Sequence, residues 1–365
     1  MKIAVFLPNW LGDFAMATPV LRALRGRYGP DAHIIGLMRP YLADVLRGTD
    51  WLDEQWFFEK KPERGVRATA RRMREAGIDM ALLTTNSLRP ALAAWLGRAR
   101  QRLGYARYGR GPLLTNKIYP KREGRKIVPA RMIDSYLALA ELADCPPESP
   151  RLELHTIAEE RAQADLVFNN LGLRRDGRLV LINSSGAYGG AKLWSVRHFA
   201  KLSQRIAAEL DHDVVVCCGP SEREIARDIV AAADHPRVFS MADQPMGLGV
   251  AKGVFERGRL MISTDSGPRH VAAALGVPTI SIYGPMIPIW SENPSQLAMH
   301  VYLDIECAGC KGRTCPLGHH RCMEDLDADS VFPSVVEMLD HLDQPDEDDA
   351  AFRLRHVKVP YGSGQ

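Results

Sequence analysis

The sequence predicts an α/β fold made of two Rossmann-like, doubly wound domains that face a cleft. Short apolar runs alternate with helically spaced apolar residues, which is typical of buried parallel strands and their crossover helices. This series occurs twice, from residue 3 and again from residue 179, with a proline-rich stretch at 145–150 between the two. The 365 residues also suit two domains of roughly 100–200 residues each.

The first series begins with the apolar run Ile3–Leu7. A loop follows, and apolar residues then recur at helical spacing over Phe14–Tyr28. Two further runs, His33–Met38 and Met80–Thr85, predict additional parallel strands. We therefore expect the first domain to span residues 1–155.

The second series begins with the run Leu179–Ile182 and the polar loop Asn183–Gly190. Further strands are predicted at Val214–Cys218, Leu260–Ser263 and Pro278–Tyr283, and helices at His198–Leu210 and Arg269–Leu275. We expect a second domain over residues 156–342 and a flexible tail over 343–365. Because open parallel sheets bind ligands beyond the carboxyl ends of their strands, the loops after these strands should line the cleft.

Composition excludes disordered, fibrous and membrane-spanning classes. Apolar residues make up 46% of the chain and charged residues 25%, which is ordinary for a globular protein. No apolar run approaches the ~18 residues that a spanning helix needs, and the N-terminal run is too short for a signal peptide. Seven cysteines, two of them adjacent, suit a reducing compartment better than a disulfide framework. We expect a cytoplasmic protein.

Positive charge is concentrated in the first half of the chain. Residues 1–150 carry 25 Lys and Arg against 15 Asp and Glu, whereas the remainder carries 22 against 29. The basic segment, Lys60–Lys126, holds 18 basic residues and four acidic ones. Such a segment should attract an anionic surface or substrate. A solvated helix face is the alternative.

The stretch Thr264–His270 has the composition of a diphosphate-binding site. It connects a predicted strand to a predicted helix, where unpaired amides and the helix dipole favour a phosphate. Gly267 allows close approach of the backbone, and the hydroxyls of Thr264 and Ser266 are additional donors. A simple capping role for Asp265 or Ser266 is the alternative.

Three further side chains are candidates for the same ligand. Lys192 follows a glycine-rich loop and can neutralise charge that develops on a leaving phosphate. Glu222 lies just beyond a predicted strand and can accept hydrogen bonds from a ribose, and His270 lies one turn inside the predicted helix. The alternatives are a solvent-exposed lysine, a residue that opens a helix and a packed core histidine.

Asp13 is the candidate general base. It lies beside Gly12 in the first strand-to-helix loop, where a carboxylate can deprotonate an acceptor hydroxyl. Taken by itself, this residue is interpreted more simply as the N-cap of a helix that begins at Phe14.

Together these motifs resemble glycosyltransferase family 9, the ADP-heptose:lipopolysaccharide heptosyltransferases. The resemblance covers about residues 1–342 and rests on three ordered motifs. They are Trp10–Asp13 followed by Ala17–Leu24, the Lys192–Trp194 element, and Asp265–His270 continuing through Ala272–Pro278 to Tyr283–Pro285. The resemblance implies a GT-B fold and metal-independent, inverting transfer of a sugar from a nucleotide donor.

The resemblance also implies roles for the candidate residues. The N-terminal domain binds the acceptor and the C-terminal domain binds the nucleotide sugar, so that Asp13 is the catalytic base and Lys192 the phosphate contact. The expected donor site also contains Ser184, Ser185, Glu222, Thr264, Asp265, Ser266, Gly267 and His270. The implied reaction moves heptose from ADP-heptose to the lipopolysaccharide inner core, a Kdo-lipid A or heptosyl-Kdo-lipid A acceptor, without a cofactor.

The basic segment suits such an acceptor, because inner-core saccharides carry carboxylates and phosphates that arginine binds in a bidentate manner. Arg64, Arg67 and Arg102 are the candidate acceptor contacts. The implied location is the cytoplasmic face of the inner membrane, with peripheral contact to its surface and no nucleic-acid partner.

Four cysteines stand close together near the C-terminus, at Cys307, Cys310, Cys315 and Cys322. On a loop rich in glycine and proline they can form a tetrahedral site for structural zinc. Similar cysteine-rich segments occur in the heptosyltransferase II branch of the family. Reduced, buried thiols and an iron–sulfur cluster are the alternatives.

Two other functions remain open. The first is another GT-B activity, either transfer of a different sugar or epimerisation of a nucleotide sugar. The second is nucleic-acid binding by the basic segment together with a zinc loop, although few aromatic residues are interspersed in that segment and it has no known binding motif.

Overall fold

The computed structural model describes residues 1–184, 189–344 and 353–361. The chain divides into two units. Unit 1 comprises Met1–His155 and Ile289–Asn293, and unit 2 comprises Thr156–Pro288 and Pro294–Gln365. Residues 289–293, predicted within the second domain, therefore pack with unit 1, where the Asn293 side-chain amide donates to the Pro150 carbonyl at 2.7 Å.

Unit 1 is a parallel sheet flanked by helices. Its sheet strands are β1 (Lys2–Phe6), β2 (His33–Met38), β3 (Glu54–Phe57), β4 (Met80–Leu83), β5 (Gln101–Tyr105) and β6 (Asn116–Ile118). A short antiparallel ribbon follows, formed by β7 (Arg122–Glu123) and β8 (Lys126–Ile127). The helices are α1 (Leu11–Met16), α2 (Thr18–Tyr28), α3 (Val66–Ala76), α4 (Leu88–Leu96) and α5 (Met132–Leu142). The strand order, β3-β2-β1-β4-β5-β6, is that of a Rossmann fold.

The stretch predicted as one helix over Phe14–Tyr28 belongs to two. α1 ends before Ala17, and α2 begins after it at Thr18. Pro19 explains the break, because it has no N–H for the carbonyl four residues earlier and its ring clashes with the preceding turn. That carbonyl, on Ala15, accepts a hydrogen bond from the Thr18 hydroxyl at 2.8 Å instead.

Unit 2 repeats this architecture. Its strands are β9 (Leu179–Asn183), β10 (Asp213–Cys217), β11 (Val238–Ser240), β12 (Leu260–Thr264), β13 (Thr279–Tyr283), β14 (Ala298–Asp304) and β15 (Leu354–Pro360). Its helices are α6 (Ala158–Leu171), α7 (Val196–Glu209), α8 (Arg223–Ala233), α9 (Leu248–Phe255), α10 (Gly267–Ala274), α11 (Arg321–Glu324) and α12 (Ala328–Asp343). The strands are parallel and lie in the order β11-β10-β9-β12-β13-β14-β15.

The tail predicted to be flexible over 343–365 contains a strand. β15 pairs with β14 along its whole length, and Val357 and Val359 pack against the core of unit 2. The prediction was wrong for this part, because the acidic stretch at 346–349 obscured the apolar alternation that follows it. Residues 345–352 and 362–365 lie outside the part that the structure describes.

The helices pack one apolar face against their sheet. In α7, for example, Phe199, Leu202 and Ile206 are fully buried in the core of unit 2 beside strands β9 and β10. Among the described residues, no helix combines the length and the apolar character that crossing a bilayer requires.

Each of the two parallel sheets has one point on either side of which the chain adds its strands in opposite directions across the sheet. It lies between β1 and β4 in unit 1 and between β9 and β12 in unit 2. At such a switch point the loops after the two strands turn to opposite faces and leave a crevice that binds ligands. The loops that follow these four strands are therefore the expected ligand-binding positions.

A buried ion pair joins α6 to α9 in unit 2. The Lys252 ammonium lies 3.0 Å from a carboxylate oxygen of Glu160, and both side chains are almost completely buried. The same oxygen accepts a hydrogen bond from the Ile157 N–H at the start of α6. Gly253 permits this packing, because a Cβ there would lie 2.4 Å from the Glu160 carbonyl oxygen.

We expect Lys252→Met to lower the free energy of unfolding by about 3–5 kcal/mol, because it leaves the buried Glu160 charge without its cation. The double variant Glu160→Gln/Lys252→Met should recover much of this loss. Arg71→Met, which removes one partner of an exposed pair in α3, is the control and should change stability by less than about 0.5 kcal/mol. Urea unfolding followed by circular dichroism measures all three variants, and equal losses for Lys252→Met and Arg71→Met would contradict the prediction.

Candidate functional site

The predicted diphosphate-binding residues of unit 2 lie at its switch point. β9 and β12 pair in parallel, and Asn183 at the end of β9 is in register with Ser263 on β12. Ser184 follows Asn183 directly and is buried, and among the described residues its hydroxyl has no hydrogen-bond partner. Ser185 lies outside the described residues.

A polar network crosses from β9 to β12 and fixes the start of α10. The Asn183 side-chain amide donates to the hydroxyl oxygens of Ser263 and Ser266, at 3.0 and 2.8 Å. Ser266 is the N-cap residue of α10, but its side chain makes no capping hydrogen bond. The alternative interpretation, in which Ser266 simply caps the helix, is therefore wrong. Gly267 begins α10, and the buried Thr264 ends β12.

Lys192, Asp265 and Arg269 form a connected cluster of charges beside this network. The Lys192 ammonium donates to the Asp265 carboxylate at 2.6 Å and to the backbone carbonyl oxygen of the same residue at 2.9 Å. The Arg269 guanidinium donates to the other carboxylate oxygen at 3.1 Å and to the Tyr283 hydroxyl at 2.7 Å. Lys192 and Arg269 are both buried, so the solvent-exposed lysine considered from the sequence is wrong.

The electrostatics of the cluster keep Asp265 ionised. Burial by itself raises the pKa of Asp265, but Arg269 and then Lys192 outweigh burial and hold the pKa well below its usual range. Two buried cations therefore share the Asp265 carboxylate. Buried cations at the start of a helix are a suitable setting for an anionic ligand.

His270 lies one turn into α10 and is almost completely buried. Burial, followed by the charge of Arg269, holds the pKa of His270 well below its usual range, so the imidazole is neutral. Among the described residues its Nδ1 has no hydrogen-bond partner. His270 Nδ1 and the Ser184 hydroxyl are thus buried polar atoms near the switch point that a ligand could satisfy.

The neutral state of His270 makes unit 2 sensitive to acid. An unfolded histidine gains a proton below about pH 6.5, whereas folded His270 does not, so stability is lost as pH falls below that value. We expect the urea midpoint to fall between pH 7.5 and 5.5, and to fall less in His270→Gln, by a difference equivalent to about 1 kcal/mol. His155→Gln, at an exposed position, is the control. An equal fall in both variants and the parent would contradict the prediction.

Trp194 fixes the turn that carries Lys192. Its indole N–H donates to the Leu326 carbonyl at 2.6 Å, and its ring packs edge-on against Phe199 with the centroids 4.8 Å apart. The turn itself is a single 3₁₀ turn over Gly190–Lys192. Trp194 therefore anchors this segment on the core of unit 2.

Glu222 is the N-cap residue of α8 and is partly exposed. One of its carboxylate oxygens accepts the Gly219 N–H at 2.8 Å, which closes the loop after β10. The residue thus opens a helix, as one interpretation of the sequence has it. A ribose contact through this carboxylate stays a prediction.

Asp13 in unit 1 lies in the first turn of α1, at the switch point of that sheet. The helix begins at Leu11, and its N-cap residue is Trp10. The interpretation of Asp13 as the N-cap of a helix starting at Phe14 is therefore wrong. Because the helix dipole places partial positive charge in the first turn, this position stabilises a carboxylate.

The hydroxyl of Tyr136, on α5, donates to the Asp13 carboxylate at 3.3 Å. Burial, followed by the negative charge of Asp13, raises the pKa of Tyr136 well above its usual range. The phenol therefore stays protonated and holds the carboxylate as a hydrogen-bond donor. Asp13 is only partly buried.

The arginines proposed for acceptor binding differ in their surroundings. Arg64 is half-exposed, with its guanidinium near Glu59 and over the Phe57 ring, and Arg67 is exposed at the start of α3. Arg102 donates to the carbonyl oxygens of Leu113 and Ala99, at 2.7 and 2.6 Å, so much of its guanidinium serves the fold.

Arg110, another member of the basic segment, is completely buried. It donates to the carbonyl oxygens of Tyr105, Thr85 and Ser87, and to the side chain of Asn86. Its charge fixes the loop after β4 rather than facing solvent. The count of basic residues therefore overstates the charge that this segment presents to a ligand.

The cysteine-rich residues form a loop between β14 and α11, which we call the cysteine loop (residues 307–322). Cys322 is buried, Cys307 and Cys315 are partly buried and Cys310 is exposed. All four are free thiols in this structure. The alternative of plain buried thiols therefore fits Cys322 alone.

Several site residues were not predicted from the sequence. Asn183 and Tyr283 end neighbouring strands, and polar residues at strand ends near a switch point are the signal that could have found them. Arg269 stands four residues after Asp265, the spacing of a helical ion pair. Tyr136 gives no such signal, because only the packing of α5 beside α1 brings it to Asp13.

The chain is similar to a known protein family over most of its length. A family model described as glycosyltransferase family 9 (heptosyltransferase) matches residues 66–321. A lipooligosaccharide heptosyltransferase 2 from Campylobacter jejuni is 25% identical over 347 residues, which is 93% of this chain and 98% of that protein. The solved structure of Escherichia coli ADP-heptose lipopolysaccharide heptosyltransferase II matches with a TM-score of 0.75 at 24% identity, covering 94% of this chain and 100% of that one. An E. coli heptosyltransferase solved with ADP-2-deoxy-2-fluoro heptose matches with a TM-score of 0.65 at 17% identity, covering 92% and 99%.

Proposed function

Because the chain belongs to glycosyltransferase family 9, the heptosyltransferase family, we propose that it transfers heptose from ADP-heptose to the inner core of lipopolysaccharide. The predicted family, the glycosyltransferase class and the GT-B fold of two Rossmann-like domains are confirmed. The observation that carries the proposal is the pair of buried cations, Lys192 and Arg269, that hold Asp265 at the switch point of unit 2, where the Ser184 hydroxyl and His270 Nδ1 are buried polar atoms near the start of α10.

In this proposal the ADP-sugar diphosphate binds at the start of α10. The free N–H groups of that helix, the Ser266 hydroxyl and the Ser184 hydroxyl donate to its oxygens. His270 Nδ1 is satisfied by a donor on the ligand, and Lys192 stabilises the departing diphosphate. The structural neighbour solved with an ADP-heptose analogue supports this donor class.

The reaction that we propose is a single displacement. Asp13 takes the proton from the acceptor hydroxyl as its oxygen forms a bond to the anomeric carbon. The bond from that carbon to ADP breaks, and ADP leaves as an anion with inversion at the anomeric carbon. Lys192 and the start of α10 carry the positive charge that the leaving group needs, so the proposal includes no catalytic metal.

The acceptor that we propose is an anionic, Kdo-containing lipid A saccharide, with or without a first heptose. Arg64 and Arg67 are the available contacts for its carboxylates and phosphates, since much of the Arg102 guanidinium is engaged in the fold. Because this acceptor is a lipid, we further propose peripheral contact with the cytoplasmic face of the inner membrane. The exposed aromatic rings of Tyr108 and Tyr119 within the basic segment support such contact.

The test is a transfer assay with the purified chain. ADP-heptose is supplied with Kdo-lipid A and, separately, with heptosyl-Kdo-lipid A, and product is detected by mass spectrometry. UDP- and GDP-sugars in place of ADP-heptose test the alternative of a different donor. We expect a heptosylated product with ADP-heptose as the donor and none with the UDP- or GDP-sugars. Turnover of another nucleotide sugar with no use of ADP-heptose would contradict the proposal, as would ADP-heptose binding without transfer to either acceptor.

A further inference from the structure

The cysteine loop lies beside the turn that carries Lys192 in unit 2. Its four cysteines, with His319 and His320, line a small cavity of about 20 Å³ that Ala191 and Pro285 complete. Six thiol and imidazole side chains within 16 residues form a donor set that suits a metal ion of the thiolate-binding class. The proposed sugar transfer uses none of them.

The backbone of the loop turns these side chains toward one another. Gly309, Lys311, Gly318 and His320 all have positive φ, at 73°, 63°, 72° and 55°. Left-handed backbone at two non-glycine residues costs free energy, so the surrounding contacts must maintain it. The Gly309 N–H donates to the Gly284 carbonyl at 2.9 Å and the Lys311 N–H to the Pro285 carbonyl at 2.6 Å, which fixes the Cys307–Cys310 turn to the end of β13.

Two of the four sulfur atoms have polar neighbours within the loop. Cys315 Sγ accepts the His320 N–H at 3.4 Å, a contact of the kind that supports metal-bound thiolates. Cys307 Sγ lies 4.0 Å from His319 Nε2. Within residues 189–344, which contain the whole loop, no three of these donor atoms lie within 4.8 Å of one another, so binding of one ion by all four thiolates requires the loop to contract.

The loop also holds the Lys192 turn from both sides. The Ala191 N–H donates to the Arg313 carbonyl at 3.1 Å, and the His320 side chain bonds the Ala191 carbonyl through Nε2 at 2.7 Å. Gly189 makes the approach possible, because a Cβ there would lie 2.5 Å from the Arg313 carbonyl oxygen. Ala191, which directly precedes Lys192 in the chain, therefore connects the cysteine loop to that lysine.

We propose that Cys307, Cys310, Cys315 and Cys322 bind one zinc ion as thiolates, and that this ion fixes the turn that carries Lys192. His320 stays outside the ligand set, because its Nε2 holds the Ala191 carbonyl. The zinc is structural: four thiolates complete its tetrahedral shell and leave no position for substrate. Its effect on catalysis passes through Lys192, and this second part of the inference rests on the proposed function.

The metal site is tested without reference to activity. The full chain is purified without chelator, and its zinc is measured by mass spectrometry beside a count of reactive thiols. We expect about one zinc per chain, reduced at least about tenfold in Cys310→Ser and Cys315→Ser. Cys218→Ser, a partly buried cysteine outside the loop, is the matched control and should keep its zinc.

A second test uses cobalt and does not depend on how much zinc the chain retains during purification. The chain stripped with a chelator and refilled with Co²⁺ should show thiolate-to-cobalt absorption in the parent and in Cys218→Ser, but not in Cys310→Ser. Absence of both zinc and this absorption in the parent would overturn the site. Bound iron in place of zinc, lost in the same variants, would overturn the choice of ion.

The link to Lys192 has its own readout. Removal of zinc should lower kcat of the parent while KM for the acceptor is kept, and should lower kcat little further in Lys192→Met. Zinc bound to the parent with no effect of its removal on kcat would overturn the link and leave the site standing. If the chain transfers no heptose at all, the proposed function fails, whereas the zinc and cobalt measurements still decide the site.

Discussion

Replacing Asp13 with asparagine will lower kcat for sugar transfer by about 10²- to 10⁴-fold, the usual contribution of a general base. Asparagine has nearly the same shape and keeps an oxygen for the Tyr136 hydroxyl, so the first turn of α1 stays intact. What is lost is the ability to take a proton from the acceptor. KM for ADP-heptose should change little, because Asp13 belongs to unit 1 whereas the residues proposed to bind the donor belong to unit 2.

The control is Asp31→Asn, at an exposed position of the same unit, which should keep full activity. Circular dichroism and urea unfolding establish that both variants are folded. An Asp13→Asn variant that retains more than about a tenth of the parent kcat would contradict the role of base.

Tyr136→Phe separates positioning from proton transfer. A carboxylate that loses a hydrogen-bond donor takes up a proton more readily, so the acid limb of the kcat profile should shift to higher pH. At high pH, where the carboxylate is ionised in both enzymes, the loss of kcat should be small. A profile that falls uniformly at all pH values would instead indicate that Tyr136 has only a packing role.

The second large effect concerns Lys192. We expect Lys192→Met to lower kcat by about 10²- to 10³-fold, because positive charge aimed at a leaving group acts mainly in the transition state. The fold should survive, since Asp265 keeps its contact with Arg269 in the variant. Lys201→Met, an exposed lysine on α7 that pairs with Asp329, is the control and should be fully active.

The contact between Lys192 and Asp265 allows a sharper test. If Lys192 acts only by neutralising Asp265, the double variant Lys192→Met/Asp265→Asn should regain most of the parent activity. If Lys192 stabilises the departing diphosphate, the double variant should be at least as slow as Lys192→Met. A double-mutant cycle on kcat therefore decides which role the lysine has.

The two sheets could be predicted because buried parallel strands leave continuous apolar runs in the sequence, as at Leu179–Ile182. The loops after β9 and β12 could be predicted as a site for the same reason, since their position follows from the strands. The points at which helices begin and end were harder to predict from the sequence. The break at Ala17 depends on a single proline, and an apolar spacing that continues across it conceals the break.

The partners within the site could not be predicted, because they depend on burial and on contacts between distant segments. In the sequence Arg269 is one basic residue among many, whereas in the fold it shares Asp265 with Lys192 and donates to the Tyr283 hydroxyl. Arg110 looks like part of a charged surface, but it is internal. The charge of a residue is visible in sequence, while its partner is a property of the fold.

Strand β15 has a practical consequence for work with truncated chains. It covers β14, which has five buried residues out of seven and would otherwise be the edge strand of the second sheet. β15 itself carries Arg355, Lys358 and Pro360, residues that discourage the addition of another strand. In a chain shortened before residue 353, β14 would become an exposed, apolar edge strand. Self-association through β14 is therefore the outcome to watch for during purification.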